Sequence, residues 1–278
     1  MVRIIEMFSQ SFFEKRFDVK RVPSFQTIAL VTFACLYAPI IIVIIYSFNS
    51  SPSLGVFESF SLKWYAMAWD NEKVQDAAIR SLVLAAVAAS IATVAATMAA
   101  LATTRTKSFK GQTFIYAIIN QPLMIPEIVT AVALLVFFAM IKIATGYTGM
   151  MYLIIAHTAF CIPFAYLPIR ARLESMDLTL ETAGADLYAT PWKTFQRITL
   201  PMIWPGIIAG YMLAFVISLD DVVISEFVKS AGQETLPTYM LGQLRRFITP
   251  ETNAIATANI VVSVVLVSGF FLLTRNRN

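Results

Sequence analysis

Six apolar runs, each near the length that crosses a bilayer, constrain this chain more tightly than any motif in it. A hydrocarbon core about 30 Å thick takes roughly 20 helical residues. In lipid every backbone N–H and C=O must be paired within the chain, so each run reads as a helix. The runs cover Thr27–Phe48, Ser81–Ala102, Thr113–Met140, Met150–Ile169, Pro201–Leu219 and Ala254–Leu273. Only 14% of the residues are charged and 58% are hydrophobic, with a mean hydropathy of +0.71. A soluble domain carries about a quarter charged residues, so that class is excluded. The expected fold is an all-α polytopic membrane protein of six transmembrane helices.

The runs differ in texture. Ser81–Ala102 is dense in Ala, Ser and Thr, the small residues that let membrane helices approach closely. Gly206 and Gly210 form a GxxxG on the fifth run, with the same implication. Pro39 predicts a kink in the first. Trp64, Tyr65 and Trp69, in the loop after it, read first as an interfacial aromatic belt.

Lysine and arginine set the orientation. Arg3, Lys15, Arg16, Lys20 and Arg21 precede the first run, and Arg105, Lys107 and Lys110 lie between the second and third. Arg170, Arg172, Lys193 and Arg197 lie between the fourth and fifth, and Arg275 and Arg277 close the chain. The positive-inside rule then makes both termini cytoplasmic. The expected organisation is a cytoplasmic amphipathic segment over 1–26, with Ile5, Phe8 and Phe12 at helical spacing. A six-helix domain follows over 27–273, with a cytoplasmic loop at 170–200, and a tail over 274–278. The first run is expected to remain as a span and not to be cleaved as a leader.

Several chemistries lack their residues. Cys35, Cys161 and the single histidine, His157, all fall inside apolar runs, and three such side chains leave little for a transition metal. His157 is expected to be a hydrogen-bonded packing residue. No GxxxxGK[ST] occurs, so the chain has no phosphate-cradling loop of that type; nucleotide chemistry, if any, belongs to another chain.

One polar stretch resists burial. Ser175–Phe195 carries Asp177, Glu181, Asp186 and Lys193 yet reads as short helices. Asp177 or Thr179 caps a helix over Leu180–Leu187, with Glu181 in its first turn. Thr182, Ala183, Gly184 and Ala185 expose little side chain, so another backbone can come close. Thr190 and Pro191 open a second helix with Trp192, Phe195 and Ile198 on one face. The pattern suits either a docking element or a solvated loop.

ETAGADLYATPWKTFQRITLP, Glu181 to Pro201, resembles the EAA loop of ABC-importer permease subunits, in which E-A-A is followed by a glycine and an I-x-L-P ending. Glu181, Ala183, Ile198, Leu200 and Pro201 fall on that pattern; Thr182 replaces the first alanine and Tyr188 the glycine. The resemblance implies a type I ABC-importer permease architecture. It also implies that Glu181, Thr182, Ala183, Gly184, Ala185, Leu187, Tyr188, Thr190, Pro191 and Phe195 contact an ATPase. LMIPEIVTA, SLDDVVISEFV, TLPTYMLGQLRR and ITPETNAIAT further resemble the second of the two paired permeases of polyamine importers. That implies a non-catalytic subunit of the bacterial inner membrane. Its partners would be a second permease, two ATPase copies that bind ATP and Mg, and an external binding protein for putrescine or spermidine. No cofactor of its own is implied.

Intramembrane acids need an explanation of their own. Glu127 follows Pro126, with Pro122 four residues earlier, so the third run is expected to break near its middle. Glu127 then either meets substrate or caps the second half-helix. Asp220 and Asp221 end the fifth run; about 100° apart on a helix, they face different ways. Asp220 is expected to face the pathway and Asp221 to cap a helix or pair with a base. Tyr211 and Trp204 complete the candidate pathway, by a cation–π contact or by packing. Another cargo, or an ion-gradient-driven carrier, would use similar acids.

Overall fold

The computed structural model describes residues 23–53, 55–106, 110–246 and 249–275. The expected amphipathic segment at the N-terminus lies outside the described residues up to Val22, as does the end of the tail. The helices are α1 (Pro23–Ser47), α2 (Lys63–Asp70), α3 (Glu72–Thr104), α4 (Gln112–Met124), α5 (Glu127–Thr145) and α6 (Met151–Glu174). They continue as α7 (Thr179–Asp186), α8 (Pro191–Thr194), α9 (Leu200–Asp220), α10 (Val223–Val228), α11 (Leu236–Arg246) and α12 (Pro250–Arg275). Six segments are long and apolar enough to span a membrane: Phe25–Ser47, Glu72–Thr104, Glu127–Thr145, Met151–Glu174, Pro191–Asp220 and Pro250–Gly269.

Two expected boundaries move. The second span begins at Glu72, where Asn71 caps the helix by accepting the Lys73 amide at 3.1 Å. Its first turns carry Glu72, Lys73, Asp76 and Arg80, so the apolar run starts later than the helix. The third run is two helices. Ile125 (φ −96°, ψ 137°) and Pro126 (φ −54°, ψ 131°) are extended and separate α4 from α5 at the expected break.

The core is the mutual packing of α3, α6 and α9. On α3, Ala85, Ala88, Ala89, Ala92, Ala96 and Ala100 are fully buried, which realises the close approach expected of small residues. On α9, Gly206, Gly210, Ala214 and Ser218 recur every fourth residue along one stripe facing α6. A Cβ on Gly206 would lie 2.7 Å from Cβ of Arg172, and one on Gly210 would lie 2.6 Å from the Ala165 carbonyl oxygen. Further along, Cys161 Sγ donates to the Ala214 carbonyl at 3.4 Å and His157 meets Ser218. The two helices therefore run antiparallel with almost no side chain between their backbones. Around this core, α4 packs on α6, α10 on α5, α11 on α3, and α12 on α1 and α2.

The loop after α1 corrects one expectation. Trp64 is buried and donates its indole N–H to the Asn49 carbonyl at 2.7 Å, while Tyr65 shares a hydrogen bond with Ser47. Trp69, 77% exposed, remains free for an interface.

Gly210→Val is expected to lower the melting temperature of the detergent-solubilised protein by several degrees, since overpacking of this kind costs about 1–3 kcal/mol. Gly242→Ala, a helical site where a Cβ meets nothing within 4 Å, is expected not to lower it. Equal melting temperatures for the Gly210 variant and the parent would refute the close-packed stripe.

Candidate functional site

Two polar constellations stand at opposite ends of the α6–α9 pair. The first is the element between those helices. Asp177 accepts the Thr179 amide at 2.9 Å and opens α7, and this bond holds its carboxyl below the usual carboxylate range. Thr190 accepts the Lys193 amide with Pro191 in the first turn of α8, the capping read from the sequence. One turn of π-helix, Phe195–Thr199, then joins α8 to α9, a detail with no sequence signal.

Glu181 does not face outward. Its carboxylate accepts from Arg105 Nε at 3.2 Å and from the Thr199 hydroxyl at 2.8 Å, and Arg105 also donates to the Leu173 carbonyl at 3.2 Å. One carboxylate thus ties α7 to the ends of α3 and α6 and to the start of α9. Arg105 was legible only as a cytoplasmic base. Gly184 is also turned inward: a Cβ there would sit 2.9 Å from Ile198 Cδ1, so the small residue serves the chain's own contact between α7 and the π-helical turn.

The outward surface is formed by other residues. Thr182, Ala183, Ala185, Thr190 and Pro191 are exposed, and Phe195 is half-buried, stacked on Trp192 at 5.5 Å. Leu187 is 83% exposed, Tyr188 95% and Trp192 65%. Tyr188 has φ +59°, the left-handed region, and is the one non-glycine residue there among the described residues. Its amide donates to the Ala185 carbonyl at 2.9 Å and the Ala189 amide to the Gly184 carbonyl at 3.0 Å. That pair of bonds is a Schellman ending, in which glycine is the usual left-handed residue. The turn is kept although the glycine is not.

The second constellation gathers at the other end. Asp221 (φ −65°, ψ 128°) is extended and breaks α9 from α10. Its two oxygens accept the amides of Ile224 at 3.3 Å and Ser225 at 2.8 Å, so it caps α10, and its Oδ2 lies 3.4 Å from His157 Nε2. Both side chains are 1% exposed. The expectation that Asp221 caps a helix and meets a base describes its geometry. The packing of α10 on α5 also brings the Glu127 carboxyl within electrostatic reach of Asp221. Asp220, expected to face the pathway, is exposed and accepts from Asn259 at 3.2 Å.

The two helix breaks, Ile125–Pro126 and Asp221, thereby bring Glu127 and Asp221 together. Tyr211 stacks on Phe215, and Trp204, half exposed, lies about 24 Å along α9 from Asp220. Glu226 is accounted for by Lys229 at 2.8 Å and Arg245 at 3.3 Å.

Comparison with known proteins meets this geometry. Residues 92–276 match the family described as "Binding-protein-dependent transport system inner membrane component". The chain belongs to that family. It is 39% identical over 255 residues to the putrescine transport system permease protein PotI of Escherichia coli K12, covering 91% of this chain and 90% of the relative. With the spermidine/putrescine permease PotC of the same strain it shares 35% over 245 residues, 88% and 91% of the two chains. A crystal structure of a bacterial ABC transporter that imports alginate superposes with a TM-score of 0.68 at 17% identity, over 99% of both chains. The inward-facing MetNI methionine transporter gives 0.63 at 17% identity, over 77% of this chain and 98% of that one. The fold is that of type I ABC-importer permeases, six spans included.

Within this family member, Glu181→Lys would set a cation against Arg105. Transport by the reconstituted assembly is expected to fall below a tenth of the parent rate while the subunit still co-purifies. The exchange Arg105→Glu with Glu181→Arg is expected to recover part of it. Normal uptake by Glu181→Lys would remove the ion pair from the coupling path.

Proposed function

We propose that the chain is the second permease subunit of an ATP-driven importer of polyamines, putrescine or spermidine. It pairs with a related permease and receives cargo from an external binding protein. ATP and its magnesium are bound by two partner ATPase subunits, and this chain catalyses no reaction itself. The element at 170–200 lies on the cytoplasmic side with both termini, as the lysine and arginine distribution indicates. There it presents Leu187, Tyr188 and Trp192 to an ATPase while Glu181 braces it from behind. Movement of the ATPases displaces α7 and α8, and the α6–α9 pair attached to them changes access to the acids.

The convergence of Glu127 and Asp221 carries the choice of cargo. Two carboxyls within electrostatic reach of each other oppose each other's ionisation, and a shared proton or a cation between them offsets that. Among the described residues no lysine or arginine forms an ion pair with either. A primary ammonium supplies the missing charge and three donors. The curated relatives, named for putrescine and spermidine transport, support the same class.

The test is uptake of labelled putrescine and spermidine by proteoliposomes holding the full assembly, with binding protein outside. Glu127→Gln and Asp221→Asn are each expected to raise the half-saturating concentration about 10–100-fold, as for loss of a charged hydrogen bond worth about 1.5–3 kcal/mol. Unchanged half-saturation in both variants would sink the acidic site. Thermal stabilisation of the binding protein by amino acids or sugars, and not by either amine, would sink the cargo.

A further inference from the structure

His157 is buried on α6 and uses both ring nitrogens. Nδ1 lies 2.8 Å from Ser218 Oγ on α9, and Nε2 lies 2.9 Å from Ser225 Oγ on α10 and 3.4 Å from Asp221 Oδ2. We propose that His157 is a positioning residue for the cation site, fixing the α9–α10 break so that the Asp221 carboxylate is held toward Glu127. The inference rests on reading Glu127 and Asp221 as that site.

The physical need is plain from α10. A helix of six residues cannot hold itself in place. Asp221 caps it through the Ile224 and Ser225 amides, but those bonds alone leave the break free to pivot about its extended residue. The imidazole closes the gap from the other side, since one rigid ring joins the last turn of α9 to the first turn of α10. With the ring proton on Nε2 the imidazole donates to Ser225 Oγ, with Asp221 Oδ2 beside it at 3.4 Å, and Ser218 donates to Nδ1. The ring thus flanks Asp221 on the α6 side, while α5, which opens with Glu127, packs against α10. The ring itself, 1% exposed, acts through Asp221 and not on cargo.

Histidine offers two opposed nitrogens that no single amide reproduces. A glutamine amide reaches the Nε2 position and an asparagine amide the Nδ1 position. His157→Gln therefore keeps a donor toward Asp221 and Ser225, while His157→Asn and His157→Leu lose it.

The experiment measures putrescine uptake by proteoliposomes of the full assembly for these variants, alone and combined with Asp221→Asn. His157→Leu and His157→Asn are expected to raise half-saturation about tenfold with the maximal rate within about twofold, and His157→Gln to recover most of the loss. In the Asp221→Asn background, His157→Asn is expected to add less than about twofold, because the group it orients is already altered. A full tenfold further loss there, wild-type half-saturation in all three single variants, or a fall in maximal rate alone would overturn the assignment. Failure of His157→Leu to assemble leaves the glutamine–asparagine contrast to decide. The site reading fails separately, if Glu127→Gln and Asp221→Asn leave half-saturation unchanged whatever His157 does.

Discussion

The close contact of α6 with α9 is the constraint on which the rest of the structure depends. Lipid tails are as apolar as leucine, so two membrane helices gain little from hiding apolar side chains against each other. What holds them is dispersion across a backbone approach that only small residues permit. Gly206, Gly210, Ala214 and Ser218 supply that surface over more than half of α9, and α3 presses its alanines onto the same pair. Such interiors are dense and resist continuous deformation. A push on one end of the pair is therefore felt at the other, about 30 Å away.

Each end carries one multiply bonded carboxylate. Glu181 joins α7 to α3, α6 and α9 through Arg105 and Thr199. It contributes by making the α7–α8 element a rigid extension of the core, while residues beside it form the exposed surface. Tyr188 shows how these duties separate. Its backbone keeps a turn that costs a non-glycine residue of order 1 kcal/mol, and its side chain meets solvent, not the chain's own core. The strain is tolerated because the two Schellman hydrogen bonds over-determine the turn.

Much of this was legible in the sequence, and the failures have physical causes. Spans, helix break, caps at Asp177 and Thr190, and the small-residue stripe follow from local chemistry, which a linear pattern records directly. The partners of Glu181 were not legible, because Arg105 is 76 residues away and only packing of α3 against α6 brings it close. The different surroundings of Asp220 and Asp221 were not legible for a related reason. The 100° rule separates the two but presumes that the helix continues. The extended backbone at Asp221 ends the helix and turns the second carboxylate inward, leaving Asp220 to Asn259. For Trp204, residence on the same helix said nothing about distance from the acids.

The arrangement of the acids has a mechanical consequence. Asp221 and His157 sit on the α6–α9 body, whereas Glu127 opens α5, a separate helix reached through an extended break. Any motion of that body relative to α5 changes the spacing of the two carboxyls. When they are close, a cation between them is held by both charges, and the Coulomb attraction to each falls with distance once they part. A carboxylate pair on a single rigid helix would bind equally well in every state and release nothing. In the proposed function, placing its halves on two helices lets the element that moves access also set affinity, because differential interaction with the two states is what couples them.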